Sequence, residues 1–254
     1  MFSSNTEVTI ISQMDSGKKE ISDKKIDSGL GKKSRLKKLI IWLSIDLVVA
    51  AVLIGLLIYK PGNYNPAVFD SGNIERGQVS PYLTHELSPQ IYNGSQHGEP
   101  FDLTVTQEGI NEIIAWSGWP KESEGVILTD PAVLFVPGSI VMMGKAVIKG
   151  VDFIVTIIVE PKIDDRKFLS LQVSKVKVGA MNITPLAKMM AKKMYEQNQA
   201  AMSSQESELQ TKIVASLLND EAFEPVFKIE GKKFLVEKIV ILNEQLILHL
   251  VPVT

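Results

Sequence analysis

Apolar positions along the chain fall into three regimes. From Leu39 to Tyr59 they are nearly continuous: 21 residues with a single charge, Asp46. At about 1.5 Å per helical residue this run covers a hydrocarbon layer of roughly 30 Å. Fourteen of its positions are Leu, Ile or Val. On an insertion scale they contribute about −4 to −8 kcal/mol, against about +3 kcal/mol for the Asp, so insertion wins. The run is longer than a signal-peptide core and no small-x-small cleavage site follows it. It ends on Tyr59-Lys60-Pro61-Gly62, an interfacial aromatic followed by a helix stop. The pattern predicts an uncleaved transmembrane helix over 39–59. On either side the apolar period is lost. Residues 1–38 read as a disordered tail, and 60–100, broken by repeated Pro and Gly, read as a linker or extension.

The third regime, 101–254, is regular. Phe101, Leu103 and Val105 alternate with polar residues, which predicts a half-buried strand. Thr106 then starts a short helix to Ser117, with Ile110, Ile113 and Ile114 on one face, and Gly118 and Pro120 stop it. Residues 126–179 are β throughout, punctuated at Pro131 and at Pro137-Gly138. Val151 to Val159 reads as a central strand, and Asp164 to Lys167 as a turn. Thr184-Pro185 opens a helical region that continues to about 219, as one helix or two. Three strands, 226–229, 234–242 and 246–253, close the chain with turns at Glu230-Gly231 and Asn243-Glu244. Short connections favour antiparallel neighbours. The expected fold class is therefore α+β, a long antiparallel β-sheet packed on helices and preceded by one transmembrane helix.

Charge adds topology. The net is −2, but 1–38 hold nine Lys and Arg against five Asp and Glu, concentrated from Lys32 to Lys38. A basic run before a span places the N-terminus in the cytoplasm and the C-terminal domain outside the plasma (inner) membrane. Next to a span it is a topology signal and a contact for anionic membrane lipid, so no nucleic acid partner is expected. The absence of cysteine excludes disulfides, thiolate metal sites and cysteine nucleophiles. His85-Glu86 and His97-x-Glu99 match no rigid ligand spacing and sit among glycines and prolines, so no metal or other cofactor is expected. His249 lies in a strand of alternating Leu248, Leu250 and Val251, where a sheet-face residue is a better reading than a catalytic base. With no nucleophile elbow or phosphate loop either, no enzyme is expected.

Two candidate sites remain. Asp46, near the middle of the span, is an intramembrane carboxylate. It either handles protons or pairs with a partner, or it is simply tolerated by a very apolar helix or paired in a homodimer through the span. Within the domain, Met189, Met190 and Met194 give one helix a soft apolar face. The strands hold more apolar residues than one covered sheet face needs, Ile154 and Ile158 among them. Either both faces are covered, or these residues line a groove for a hydrophobic ligand.

Several stretches carry a resemblance. They are Leu103 to Asn111 (LTVTQEGIN), the strands from Val141 to Val159, Lys177-Val178-Gly179 leading to Ile183-Thr184-Pro185 and a helix, and the meander 226–253. In this order they resemble the YpmS-like single-span bacterial envelope proteins, and more distantly the LmeA-like proteins of the tubular lipid-binding class. Ala180-Met181-Asn182 stands where that group usually has a proline-rich turn. The resemblance implies a curved antiparallel sheet around a helix, enclosing an elongated apolar cavity. It also implies handling of lipid or another hydrophobic envelope ligand, and no catalytic residues. The alternative is an interaction or scaffold subunit of an envelope complex, docking on an envelope protein.

Overall fold

The computed structural model describes residues 30–66, 79–123, 125–202, 208–229 and 231–253, with the side chains of 30–35, 194, 196–202 and 208 left out. The chain divides into two compact units, Met1–Val49 and Ala50–Thr254. Helix α1 spans Leu30–Leu57. It begins inside the basic stretch, nine residues before the apolar run, because Lys and Arg are good helix formers. Its segment Leu36–Leu57 is long and apolar enough to cross a membrane, and none of that surface is covered by protein.

Beyond α1 the architecture is α+β with two antiparallel sheets, where sequence patterning led us to expect one. The first contains β1 (Phe101–Thr106), β8 (Val226–Ile229), β9 (Lys232–Leu242) and β10 (Gln245–Val253), in the order β1-β10-β9-β8. The second is a meander in chain order: β2 (Lys121–Ser123), β3 (Val126–Val136), β4 (Ser139–Ile148), β5 (Val151–Ile163), β6 (Leu169–Val178) and β7 (Met181–Asn182). The split arises because β1 pairs with β10, Leu103 opposite Leu248. That partner lies about 145 residues away, and local periodicity carries no information on it.

Pro131 does not end a strand. β3 runs through it, with a bulge between Thr129 and Ala132 and Asp130 at φ 50°. The bulge absorbs the missing N–H of the proline. A second bulge falls in β9. His249 faces Lys238 and Leu250 faces Val236, so Glu237 is the extra residue. Upstream of it Phe234 and Val236 point to the core, and downstream Ile239 and Ile241 do. The shift by one residue moves Glu237 and Lys238 together onto the opposite face.

The main core joins the two sheets. Leu103, Val105, Phe234, Val236, Ile241 and Leu250 of the first sheet pack with Val133 and Phe135 of the second. Phe234 and Leu250 are fully buried, and the Phe101 ring meets Phe234 edge-on at 5.6 Å. Helix α3 (Gln107–Ala115) closes this core. Thr106 caps it by accepting from Gly109 N–H. The polar residues of its first turns secure β3. Asn111 Nδ2 donates to Val133 O, Asn111 Oδ1 accepts from Val133 N–H, and Gln107 Oε1 accepts from Phe135 N–H. The Asn and Gln of LTVTQEGIN thus complete the hydrogen bonding of a sheet edge.

The expected linker is partly structured. Residues 83–87 form a π-helical turn that runs into α2 (Ser88–Gln96). Tyr82 is buried beside Gly109, where any Cβ would overlap its ring, and its hydroxyl accepts from Thr106 N–H. Residues 67–78 lie outside the described residues, as does the tail through residue 29. The helical region after β7 is two helices, α4 (Thr184–Met202) and α5 (Glu208–Asn219). The Thr184 hydroxyl accepts from Val176 N–H at 2.8 Å, joining the start of α4 to β6. Ser216, fully buried on α5, does the same for Leu171 N–H.

Candidate functional site

Where the apolar helix ends, the chain is bonded into the second sheet. Leu56 O accepts from Ala180 N–H at 2.8 Å, and Gly179 N–H reaches Ile154 O at 2.7 Å. Gly179 has φ +58°, and a Cβ there would run into the carbonyls of Leu56 and Leu57. Glycine is needed twice over, for the left-handed backbone and for the close approach. Lys60 then lies over the Tyr64 ring, 5.6 Å from its centroid. The ring is only 6% exposed, packed with Ala132, Val141, Met143 and Ile154. Its hydroxyl donates to Asp130 O at 2.7 Å. Burial, helped by the nearby Asp130 charge, pushes the phenol up to about 12.

Asp130 is held in place by its own partners. Lys145 Nζ lies 2.8 Å from its carboxylate and the Thr129 hydroxyl donates to it at 2.6 Å. These bonds, the one from Lys145 first, lower the Asp130 pKa, and the same contact raises that of Lys145.

The five apolar candidates separate into two places. Ile154 is buried in the cluster under Tyr64, and Ile158 packs against it. Thr156, between them on β5, is buried with its hydroxyl unpartnered. Met189 and Met190 stand on α4, 63% and 53% exposed, with Leu186 at 50% on the same side. No packed cluster among the described residues unites them with the isoleucines. Met194 lies on α4, but its side chain is outside the described residues. From Thr184 to Tyr195, α4 carries three lysines and no acid. Lys188 pairs with Asp220 at 3.4 Å, while Lys192 and Lys193 are exposed. Asp46 is exposed on α1. It lies apart from a shallow apolar depression of about 370 Å³ formed on that helix by Ile40, Ile41, Ser44, Ile45, Val48 and Val49.

A second arrangement was not anticipated from patterning. On the outer face of the first sheet, a cleft of about 630 Å³ is lined by Asp102, Lys167, Glu237, Lys238 and His249, with Val240 and Ile247. His249 Nδ1 is 2.7 Å from Asp102, its cross-strand neighbour, and Nε2 is 3.8 Å from Glu237. Lys167, at φ 66° in the turn after β5, reaches Glu237 at 3.0 Å and is the main reason that the Glu237 pKa is lowered. The visible signal was Glu237-Lys238 between Val236 and Ile239, two adjacent charges that break the strand alternation as a bulge does. Another cleft, about 510 Å³ and polar, is bordered by Asn65, Glu108, Asn243 and Glu244. Among the described residues no group of three His, Asp or Glu is arranged to hold a metal ion.

No family model, curated protein or solved structure matches this chain.

Proposed function

We propose that this chain is a membrane-anchored, extracytoplasmic binding module for lipid or another hydrophobic envelope ligand, and that it acts without catalysis. The observation that carries the reading is the side of α4 formed by Leu186, Met189 and Met190, each at least half exposed. Helix α4 begins four residues after Ala180, whose N–H bonds the last turn of α1. Covering three such side chains contributes on the order of 1 kcal/mol each at about 25 cal/mol per Å². Methionine suits that task because its unbranched side chain adapts to irregular apolar partners. Ile154 and Ile158 take a supporting part in this reading, as the packed floor that holds Tyr64 and the helix exit. The YpmS-like resemblance agrees with it.

The test is native mass spectrometry of the full chain released from detergent, compared with Met189→Ser/Met190→Ser. Retained lipid on the parent and its loss from the variant support the reading. Equal lipid on both, or none on either, removes it. A docking subunit is the second reading, favoured by Asp46, a carboxylate exposed on the apolar helix. In that case Asp46→Leu dissociates a complex that the parent chain retains on co-purification.

A further inference from the structure

We propose that the Leu186, Met189 and Met190 face of α4 enters the bilayer that α1 crosses, so that the domain meets its membrane at two places. This inference rests on the binding-module reading and names the partner of that same surface: the lipid bilayer itself, with anionic headgroups.

Four observations lead to it. Leu186, Met189 and Met190 are spaced i, i+3 and i+4, which puts them on one side of a helix, and all three face outward. Of the exposed large apolar side chains beyond the span, Met189 is 63% exposed, and exposed apolar side chains grouped on one helix side call for a cover. The chain reaches this stripe directly from the helix exit. Leu56 O bonds Ala180 N–H, β7 follows, and Thr184 starts α4 while bonded to Val176 of β6. Leu186 is the sixth residue after the bonded Ala180, a path of at most about 20 Å. The charge also matches. The first three turns of α4 hold no carboxylate, and beside Lys188, which pairs with Asp220, they present exposed Lys192 and Lys193, a composition suited to an anionic interface. Finally, the anchoring is stiff: buried Tyr64, the Gly179 contact and the Ile154 bond fix the helix exit on the second sheet.

Because the chain has no cysteine, a single introduced thiol can be labelled cleanly. The full chain is reconstituted in nanodiscs of phosphatidylcholine and phosphatidylglycerol. Spin labels are placed in turn at Met189→Cys, Met190→Cys, Val48→Cys in the span and Glu224→Cys on an exposed loop. Collision with dissolved oxygen and with a water-soluble nickel chelate is then measured at each. The expected result is that labels at 189 and 190 behave like the one at 48, with oxygen collisions exceeding nickel collisions severalfold, and that this excess shrinks without phosphatidylglycerol. If 48 is lipid-buried while 189 and 190 match 224, the α4 contact is refuted and the membrane anchor stands. If 48 itself is water-exposed, the anchor and the α4 contact both fall. Labels at 189 and 190 shielded from both reagents refute lipid contact in favour of a protein surface, and spin–spin broadening identifies that surface as a second copy.

Discussion

Tyr64 is the sharpest test of how the helix exit joins the domain, because its phenol reports its own surroundings. Its ring is 6% exposed and its hydroxyl donates to Asp130 O at 2.7 Å. Ionising it requires a buried phenolate next to the Asp130 carboxylate, and the pKa rises from 10.0 to about 12. The folded state therefore favours the neutral phenol. Its contribution to stability is complete below pH 10 and is lost as pH rises from 10 towards 12. Two units correspond to about 2.7 kcal/mol at the alkaline limit, and to about 1.4 kcal/mol near pH 11. Tyr64→Phe removes this dependence, and costs about 1 kcal/mol at neutral pH for the lost hydrogen bond. The assay is ultraviolet titration of tyrosinate absorbance for parent and Tyr64→Phe, taking the difference between the curves. That difference isolates one of the five tyrosines. A midpoint near 12 is expected. A midpoint near 10 would mean a solvated phenol and would refute the docking of residues 58–64 on the second sheet.

Three further substitutions probe the same construction. Gly179→Ala forces a side chain into a left-handed residue and against the Leu56 and Leu57 carbonyls, so urea denaturation in detergent should show a loss of about 1–3 kcal/mol. Asn111→Leu orphans both backbone groups of Val133. A loss of about 2–5 kcal/mol is expected in the same assay, whereas an exposed control such as Glu224→Gln stays within about 0.5 kcal/mol. Asp130 has a lowered pKa, so its stabilisation is present above the ordinary carboxylate range and disappears as pH falls through its folded value. Asp130→Asn should flatten the acid limb of a stability–pH curve by less than about 1 kcal/mol, since the pair with Lys145 is half exposed.

The sequence made local structure legible and left long-range structure hidden. The helix start at Thr106, the turn at Asp164 to Lys167 and the closing meander each follow from a few adjacent residues, and each stands where patterning put it to within a residue or two. What patterning missed depends on partners distant in the chain. One expected sheet became two because β1 is completed by β10. Pro131 looked like a strand end, yet a bulge with Asp130 at positive φ carries β3 through it. The α4 methionines were legible as an apolar face, but whether they pack or project depends on what α5 and β6 leave uncovered. Tyr64 stood in a stretch that reads as linker, and nothing local marks a tyrosine that will be buried 66 residues away against Asp130.

The His249 cleft lies where the two sheets meet. A chain of polar side chains, Asp102, His249, Glu237 and Lys167, crosses from β1 to the turn after β5 and so links the two sheets. Its members are all more than a third exposed, where ion pairs contribute between about 0 and 1 kcal/mol each. The sheets have a stronger connection. Gly138 N–H bonds Ile241 O at 3.2 Å, Glu244 N–H bonds Phe135 O at 3.1 Å, and fully buried Phe234 and Leu250 sit in the shared core. Truncating one such core side chain costs about 2–5 kcal/mol. The backbone bonds and the apolar core therefore hold the sheets together, and the polar chain adds little. Any one of these four side chains can then be replaced without parting the sheets, so the cleft is held at a fixed position relative to the second sheet.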